Sequence, residues 1–396
     1  MITHRAYKYR VYPTKEQEAR LIRWESALRF LWNLAHEQRL LGLARPKGER
    51  KYYSAFDQML DLKELCKNAP WLADVPRGVC TQLLQFLDKA WRSCFNRLAR
   101  TPRWKRKGQD IISIWEPGSQ RWRLNGSTLR FPKLGNLRVV QHRPLEGRRT
   151  SCILKKDGDQ WFAIINCEVT IPDPIQQAEP VVGLDRGVVA VVADSDGNVI
   201  QNPRFFERSK ERLARLQRNV SRKRKGSSNQ KKAQLMVMRL HRRVRRQREW
   251  LLHQVSSRYS KSHGVVVIED LRVNNMVHTN HGLSRSIFDS GWSMLESQLS
   301  YKLKEAGGTI VKVNPAYTSQ TCSACGCVDP LSRVSQSLFR CTSCGFECNA
   351  DVNAAINIKG RWRPSAQPVE GSRQRAPLRS RKPSKGNLQG SSANAE

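Results

Sequence analysis

The sequence is poor in acid and has no long apolar run. Its 396 residues hold 34 Asp and Glu against 70 Lys and Arg, a formal charge of +36. A compact chain tolerates such self-repulsion best beside a polyanion, so nucleic acid is the expected partner. No apolar stretch approaches the roughly 20 residues that span a bilayer, so no membrane partner is expected. The first ten residues lack the hydrophobic stretch of a signal peptide, and the expected setting is the cytoplasm, at the nucleoid. Disulfides are rare in that setting, so the 11 cysteines should be metal ligands where clustered and core filler where scattered. Apolar material is not lacking: 39% hydrophobic residues and 11 Trp argue against a disordered basic tail protein. The length calls for two or more compact units.

Tyr7 to Val11 alternate as a strand, and Thr14 with Gln17 fits a capping box opening a helix. Leu21, Trp24, Leu28, Leu31 and Ala35 recur at helical spacing, as do Leu83, Leu84, Leu87, Trp91, Cys94 and Leu98. Residues 14–100 therefore read as helical, closed by Thr101 and Pro102. After the basic string Arg103 to Lys107 come short β-like runs with turns at Asn125-Gly126 and Asp157-Gly158. These make a β-domain over 101–178, which the lone strand in 1–13 should join, leaving the helices as an insertion. Pro172, Pro174 and Pro180 mark a linker. Beyond it, Val181 to Asp185 and Val188 to Ala193 resemble a buried hairpin opening a domain over 179–317. Arg204 to Arg248 carries 18 Lys or Arg and two Glu on a helical hairpin, 204–262, broken near Gly226 to Asn229. Val265 to Ile268 should be a strand, Ser286 to Ala306 an amphipathic helix and Thr309 to Val313 a strand. Residues 272–290, with Asn274, Asn275, His278 and Asn280, suit a mobile lid. From Arg361 onward no periodicity remains, and 361–396 should be a disordered basic tail.

Cys322-x-x-Cys325 and Cys341-x-x-Cys344 are separated by 15 residues, the two-knuckle spacing of a zinc ribbon, here 318–348. Four thiolates close the shell, so this zinc should be structural, with Cys327 and Cys348 as non-ligands. Three acids stand in unusual places: Asp185 and Glu269 each end an apolar strand, and Asp351 begins a helix, 349–360. Singly, they read as a turn residue, a solvated strand end and an N-cap. Together they suit an oxygen cage for Mg²⁺ in an RNase H-like site, with two metals roughly 3.5 to 4 Å apart. Asp194 and Asp196 read as plain hairpin-turn residues.

The strings Gly183-Leu184-Asp185-Arg186-Gly187, Ile268-Glu269-Asp270-Leu271, Asn314-Pro315-Ala316-Tyr317-Thr318-Ser319-Gln320-Thr321-Cys322 and Asn349-Ala350-Asp351-Val352-Asn353-Ala354-Ala355 resemble the RuvC and zinc-ribbon segments of the TnpB, or OrfB, family. Tyr9 to Thr14 and Pro102 to Lys105 resemble its N-terminal half, so the likeness runs from about residue 5 to 360. These are transposon-encoded RNA-guided DNA endonucleases related to compact type V CRISPR effectors. The resemblance implies a multidomain α/β fold. A wedge-type β-barrel domain carries a helical recognition insertion and precedes an RNase H-like (RuvC) nuclease domain with an inserted zinc ribbon. It also implies catalytic Asp185, Glu269 and Asp351, Mg²⁺, a transposon-derived guide RNA, target DNA cut beside a short motif, and a monomer. Arg186 stands where many relatives carry a smaller or apolar residue.

The basic hairpin, with Arg222, Lys223, Arg224, Lys225, Arg242, Arg243, Arg245 and Arg246, should then lie along a guide–target heteroduplex and read backbone only. Arg103, Lys105, Arg106 and Lys107, interleaved with Trp104, could hold RNA; Trp104 could equally anchor the β-domain core. The rivals are a nuclease-inactive RNA-guided repressor, a DNA transposase, and a junction-cleaving nuclease without a guide. The complete carboxylate set argues against the first.

Overall fold

The computed structural model describes residues 1–173, 179–273, 275, 276 and 284–363. The expected tail from 364 on, Pro174 of the linker, and Asn274, His278 and Asn280 of the expected lid lie outside the described residues. The chain packs as two units. One combines Met1–Gln176, Pro203–Arg258 and Gly282–Gly307; the other combines Gln177–Asn202, Tyr259–His281 and the chain from Gly308 on.

In the first unit β1 (Ile2–Tyr12) is followed by α1 (Lys15–Ala44), α2 (Ala55–Asn68), α3 (Pro70–Ala73) and α4 (Arg77–Phe95), and then by β2 (Ile114–Pro117), β3 (Arg123–Asn125), β4 (Thr128–Phe131), β5 (Gly135–Val140), β6 (Arg148–Asp157) and β7 (Gln160–Thr170). The strands form one sheet in the order β2-β6-β7-β1-β5-β4-β3, antiparallel in every pair. The first strand thus lies between two later ones, pairing Ile2 with Thr170 and Arg10 with Val140, and the helices are a chain insertion between β1 and β2. Thr14 and Gln17 form the reciprocal capping box that starts α1. Trp24, Leu28 and Leu31 of α1, Leu84, Leu87 and Trp91 of α4, and Tyr9, Phe131, Leu154 and Ile165 of the sheet belong to one buried cluster. Helices and sheet therefore bury a common core. The α4 helix ends earlier than its apolar spacing suggests: Asn96 is its cap and Arg97 turns left-handed at φ 56°, which leaves Leu98 60% exposed.

The basic hairpin forms α5 (Phe205–Ser221) and α6 (Ser228–Ser262), with Gly226 at φ 82° between them. The single helix expected over Ser286 to Ala306 is two, α7 (Ser284–Ser290) and α8 (Trp292–Ala306). Gly291 separates them at φ 67°, and a Cβ there would stand 2.8 Å from Leu252 Cδ1, so the break favours glycine.

The second unit centres on a five-stranded sheet: β8 (Val181–Asp185), β9 (Ala190–Asp194), β10 (Val199–Gln201), β11 (Val265–Glu269) and β12 (Thr309–Val313), in the order β10-β9-β8-β11-β12. The first three are antiparallel; β11 runs parallel to both β8 and β12. Every residue of β11 is buried, as suits a central parallel strand covered on both faces. The hairpin's second strand begins two residues later than its apolar run, and a third strand follows it. The last described helix, α9 (Ala350–Gly360), follows a small hairpin of β13 (Leu338–Arg340) and β14 (Glu347–Asn349). It lies directly on β8: a Cβ on Gly183 would come within 2.1 Å of Ala355 O. Val265, Val267, Val313 and Ile358 form the core beneath it.

Candidate carboxylate and thiolate centres

Two neighbouring parallel strands end in acids. Leu184 of β8 pairs with Ile268 of β11, so Asp185 and Glu269, one residue further, stand at the same end of the sheet. Asp351 sits in the first turn of α9, the helix that Gly183 admits onto β8. The N-cap of α9 is Asn349, whose side chain accepts from the amides of Asp351 (3.0 Å) and Val352 (3.2 Å); the Asp351 carboxylate is thus not consumed by capping. It pairs instead with Arg333 at 3.1 Å. Glu269 Oε1 accepts from the Thr318 hydroxyl at 2.5 Å. Its main-chain oxygen accepts from Arg186 Nη2 at 2.5 Å, and Arg186 is only 3% exposed.

Burial is the main reason that the Asp185 carboxyl rises to about 7; repulsion from Glu269 and Asp351 adds to it, against Arg333 and Arg186. Burial also raises Glu269, opposed by the Thr318 hydrogen bond and by Arg186. The three acids thus interact, without being drawn as close together as the cysteines. Hard oxygen donors that gain by sharing a positive charge are the donor set of Mg²⁺.

The cysteine quartet is tighter. The Sγ atoms of Cys322, Cys325, Cys341 and Cys344 all lie within 4.8 Å of one another, the one such group of three or more His, Cys, Asp or Glu among the described residues. Cys322 and Cys344 are 3.7 Å apart, Cys325 and Cys341 3.6 Å. Each knuckle turns on a left-handed glycine, Gly326 at φ 77° and Gly345 at φ 74°, whose amide donates to the carbonyl of Cys322 or Cys341. The amides of Cys344 and Ser343 donate to Cys341 Sγ, and the first of these is the main reason that its thiol falls to about 6. Cys327 and Cys348 stand outside the quartet and pack with Phe339 and Ala350.

The basic residues are not uniform. Arg103, Arg106, Lys107, Arg222, Lys223, Arg224, Lys225 and Arg243 are exposed. Lys105 is half-buried with its ammonium 4.9 Å over the Trp32 ring, and Trp104 is 44% exposed with its edge to His36. Arg242, expected with its neighbours to lie along the heteroduplex, is 7% exposed. It donates to Asp157 O (2.6 Å) and Asp159 Oδ1 (2.8 Å). Arg245 pairs with Asp157, and Arg246 reaches Gln160 Oε1 at 3.3 Å. The β6–β7 turn supplies acids that a reading of the hairpin alone does not see. Asp194 also differs from a plain turn residue: it is 1% exposed and accepts from the amides of Asp196 and Asn198 and from the Tyr259 hydroxyl at 2.8 Å.

Residues 164–280 match the OrfB family described as "Probable transposase", and 292–358 match "Cas12f1-like, TNB domain". Residues 1–40 match a "Helix-turn-helix domain", although here they form β1 and most of α1. The chain is 35% identical over 373 residues to "Putative RNA-guided DNA endonuclease InsQ" of Escherichia coli (strain K12), covering 89% of this chain and 91% of that one. The chain belongs to the TnpB family. A second TnpB relative, "Putative RNA-guided DNA endonuclease" of Streptomyces pristinaespiralis, is 34% identical over 359 residues, covering 89% and 88%. Among solved structures, the chain in "Cryo-EM structure of the Cas12f1-sgRNA-target DNA complex" shares the fold with a TM-score of 0.53 at 16% identity, covering 90% of this chain and 99% of that one.

Within this TnpB chain, two residues at the carboxylates escaped the sequence reading. Thr318 lies inside a recognised string but carries no charge that would single it out. Arg333 sits between the knuckles in a stretch without periodicity, and only folding brings it to Asp351. No helix among the described residues is long and apolar enough to cross a membrane.

Proposed function

We propose that the chain is an RNA-guided, Mg²⁺-dependent endonuclease that cleaves double-stranded DNA beside a short motif, encoded by a transposon and guided by a transposon-derived RNA. The observation that carries this reading is the convergence of Asp185, Glu269 and Asp351 from two adjacent strand ends and a helix start. The order of the five strands and the helix on β8 support an RNase H-like, RuvC-type unit, within which Thr318 to Cys348 form a ribbon closed by a structural zinc on Cys322, Cys325, Cys341 and Cys344. The seven-stranded sheet supports a wedge domain and α1 to α4 its recognition insertion. The names and coverage of the two relatives support the guide RNA and the DNA target.

Asp185, Glu269 and Asp351 would hold Mg²⁺, which supplies water activation and charge neutralisation at the scissile phosphodiester. The chain's own groups prepare that place. Thr318 and Arg186 fix Glu269 from its side chain and its backbone. Glu269 is buried and Asp185 half-buried, which strengthens each charge interaction there. Arg333 balances Asp351, and its planar guanidinium matches phosphate oxygens as well as it matches a carboxylate.

Cleavage of a plasmid bearing a guide-matched site tests the reading. Asp185→Ala, Glu269→Ala and Asp351→Ala should each abolish cleavage while guided binding stays near wild type, and pairs of these changes should add little. Full cleavage by the Asp185 variant, or wild-type cleavage in EDTA, overturns the metal-nuclease assignment. A wild type that binds its guided target but never cuts identifies the repressor.

A further inference from the structure

In two antiparallel pairs this protein places an acid directly opposite an arginine. Arg148 of β6 faces and pairs with Glu168 of β7; Arg340 of β13 faces Glu347 of β14 at 2.7 Å. The β3–β4 hairpin breaks the pattern, because Arg123 and Arg130 are direct cross-strand partners. Like charges in that position oppose strand pairing. The hairpin is short, and its apolar alternation sends Leu124, Leu129 and Phe131 inward and both arginines outward. Neither guanidinium forms an ion pair or hydrogen bond among the described residues, and both residues are exposed.

They line a concave cleft of about 420 Å³ that also takes in Gln120, Arg121, Lys133 and Phe131. No acid lines it among the described residues, and Arg121 is paired with the buried Glu116 at 3.4 Å. Lys133 is fixed at the rim, with φ 57° and its ammonium donating to Ala73 O at 2.6 Å. Four cations around one cleft, two of them held side by side by strand register, form a site for an anion that accepts from two guanidinium groups at once.

We propose that Arg123 and Arg130 clamp a phosphodiester of a nucleic-acid backbone, with Arg121 and Lys133 at the rim. The proposal rests on the nucleic-acid reading above but concerns residues outside the carboxylate centre, the basic hairpin and the 103–107 string. The backbone can be that of RNA or of duplex DNA, since the two offer the same oxygens, and the clamp reads no base.

Arg130→Glu gives Arg123 the partner that Arg148 and Arg340 already have. The full-length variant should fold with a melting temperature at or above wild type, yet hold nucleic acid less well. Binding is measured from 50 to 300 mM salt with a 20-nucleotide single-stranded RNA and with a 20-base-pair DNA duplex. The slope of log K against log salt should become shallower by about 0.7 on the RNA or about 0.9 on the duplex, the share of one phosphate. A change on the RNA alone assigns the clamp to the guide, and a change on the duplex alone to the target; either supports it. Should Arg130→Glu fail to fold, Arg123→Gln with Arg130→Gln removes the charges without adding one and is read in the same way. Wild-type slopes on both probes in a folded variant overturn the clamp alone. A wild-type protein that binds neither probe overturns the nucleic-acid reading, and the clamp with it.

Discussion

The Thr318 hydroxyl donates to Glu269 Oε1 at 2.5 Å, and the same hydroxyl lies 3.0 Å from Pro315 O. Its single proton is therefore held between a loop carbonyl and a carboxylate. Burial raises the Glu269 carboxyl, and this hydrogen bond is the leading influence against that rise. Thr318→Val keeps the shape and removes the donor, leaving Glu269 free to turn and costlier to ionise. Cleavage should fall about 10- to 100-fold, as for other partners that orient metal ligands. The Mg²⁺ needed for half-maximal cleavage should rise, and Thr318→Ser should restore most of both. A Mg²⁺ titration of plasmid cleavage, with guided binding measured in parallel, decides this; an unaltered titration in Thr318→Val would show that the hydroxyl does not position Glu269.

Asp185 gives the protein a pH dependence of definite sign. Its carboxyl lies at about 7 when folded against an ordinary value of 3.8, so between those two pH values the folded state binds the extra proton. Stability then falls as pH rises through the window, because ionisation is penalised only in the folded chain. In EDTA, thermal melting of the wild type should drop by several degrees relative to Asp185→Asn between about pH 4 and 7. Added Mg²⁺ should stabilise the wild type most at the upper end, where its ligands are ionised. Parallel melting curves for wild type and Asp185→Asn across the window would remove Asp185 as the source.

How far the sequence reached depends on the range of the interactions involved. The capping box at Thr14, the break at Gly226 and the two knuckles are set by residues within a few positions of one another, and all were legible. The strands ending in Asp185 and Glu269 were legible because an acid after an apolar run is conspicuous. The division of α7 from α8 was not, since Gly291 looks like any tolerated helix glycine until Leu252 is packed against it. Nor was the inward turn of Arg242, whose partners, the Asp157 carbonyl and the Asp159 carboxylate, come from a hairpin 85 and 83 residues earlier. Asp194 misled for a related reason: its turn partners are local, but Tyr259, which buries it, is 65 residues away.

The ribbon should separate ligand cysteines from bystanders. Cys341 lies in the quartet and accepts two amide hydrogen bonds at its sulfur, whereas Cys348 stands outside the quartet and packs beside Phe339. If the quartet holds the proposed zinc, Cys341→Ser should lose it and lower the melting temperature, because metal binding by a closed thiolate shell is coupled to folding. Cys348→Ser should keep the zinc and cost little. Metal analysis of the two purified variants tests this; equal zinc loss from both would put Cys348 in the shell.

Within the basic hairpin, stability and nucleic-acid binding should divide between neighbouring arginines. Burial works against the Asp159 anion, but hydrogen bonds from Arg239 and Arg242 outweigh it, and the carboxyl falls to about 2. Arg242→Gln leaves that carboxylate half-served and the Asp157 carbonyl without its donor, a loss on the order of 1 kcal/mol, since Arg242 is buried but Asp159 is part-exposed. Arg243, one position on, points outward and has no such role. Arg243→Gln should leave the melting temperature unchanged and flatten the salt dependence of nucleic-acid binding by about one phosphate's share. Arg242→Gln should lower the melting temperature and, in the protein that remains folded, leave the salt slope near wild type. Melting curves and salt titrations on the two variants, run side by side, give the answer: a slope lost in Arg242→Gln and kept in Arg243→Gln would mean that the arginine facing the β6–β7 turn is the one that leaves it for phosphate.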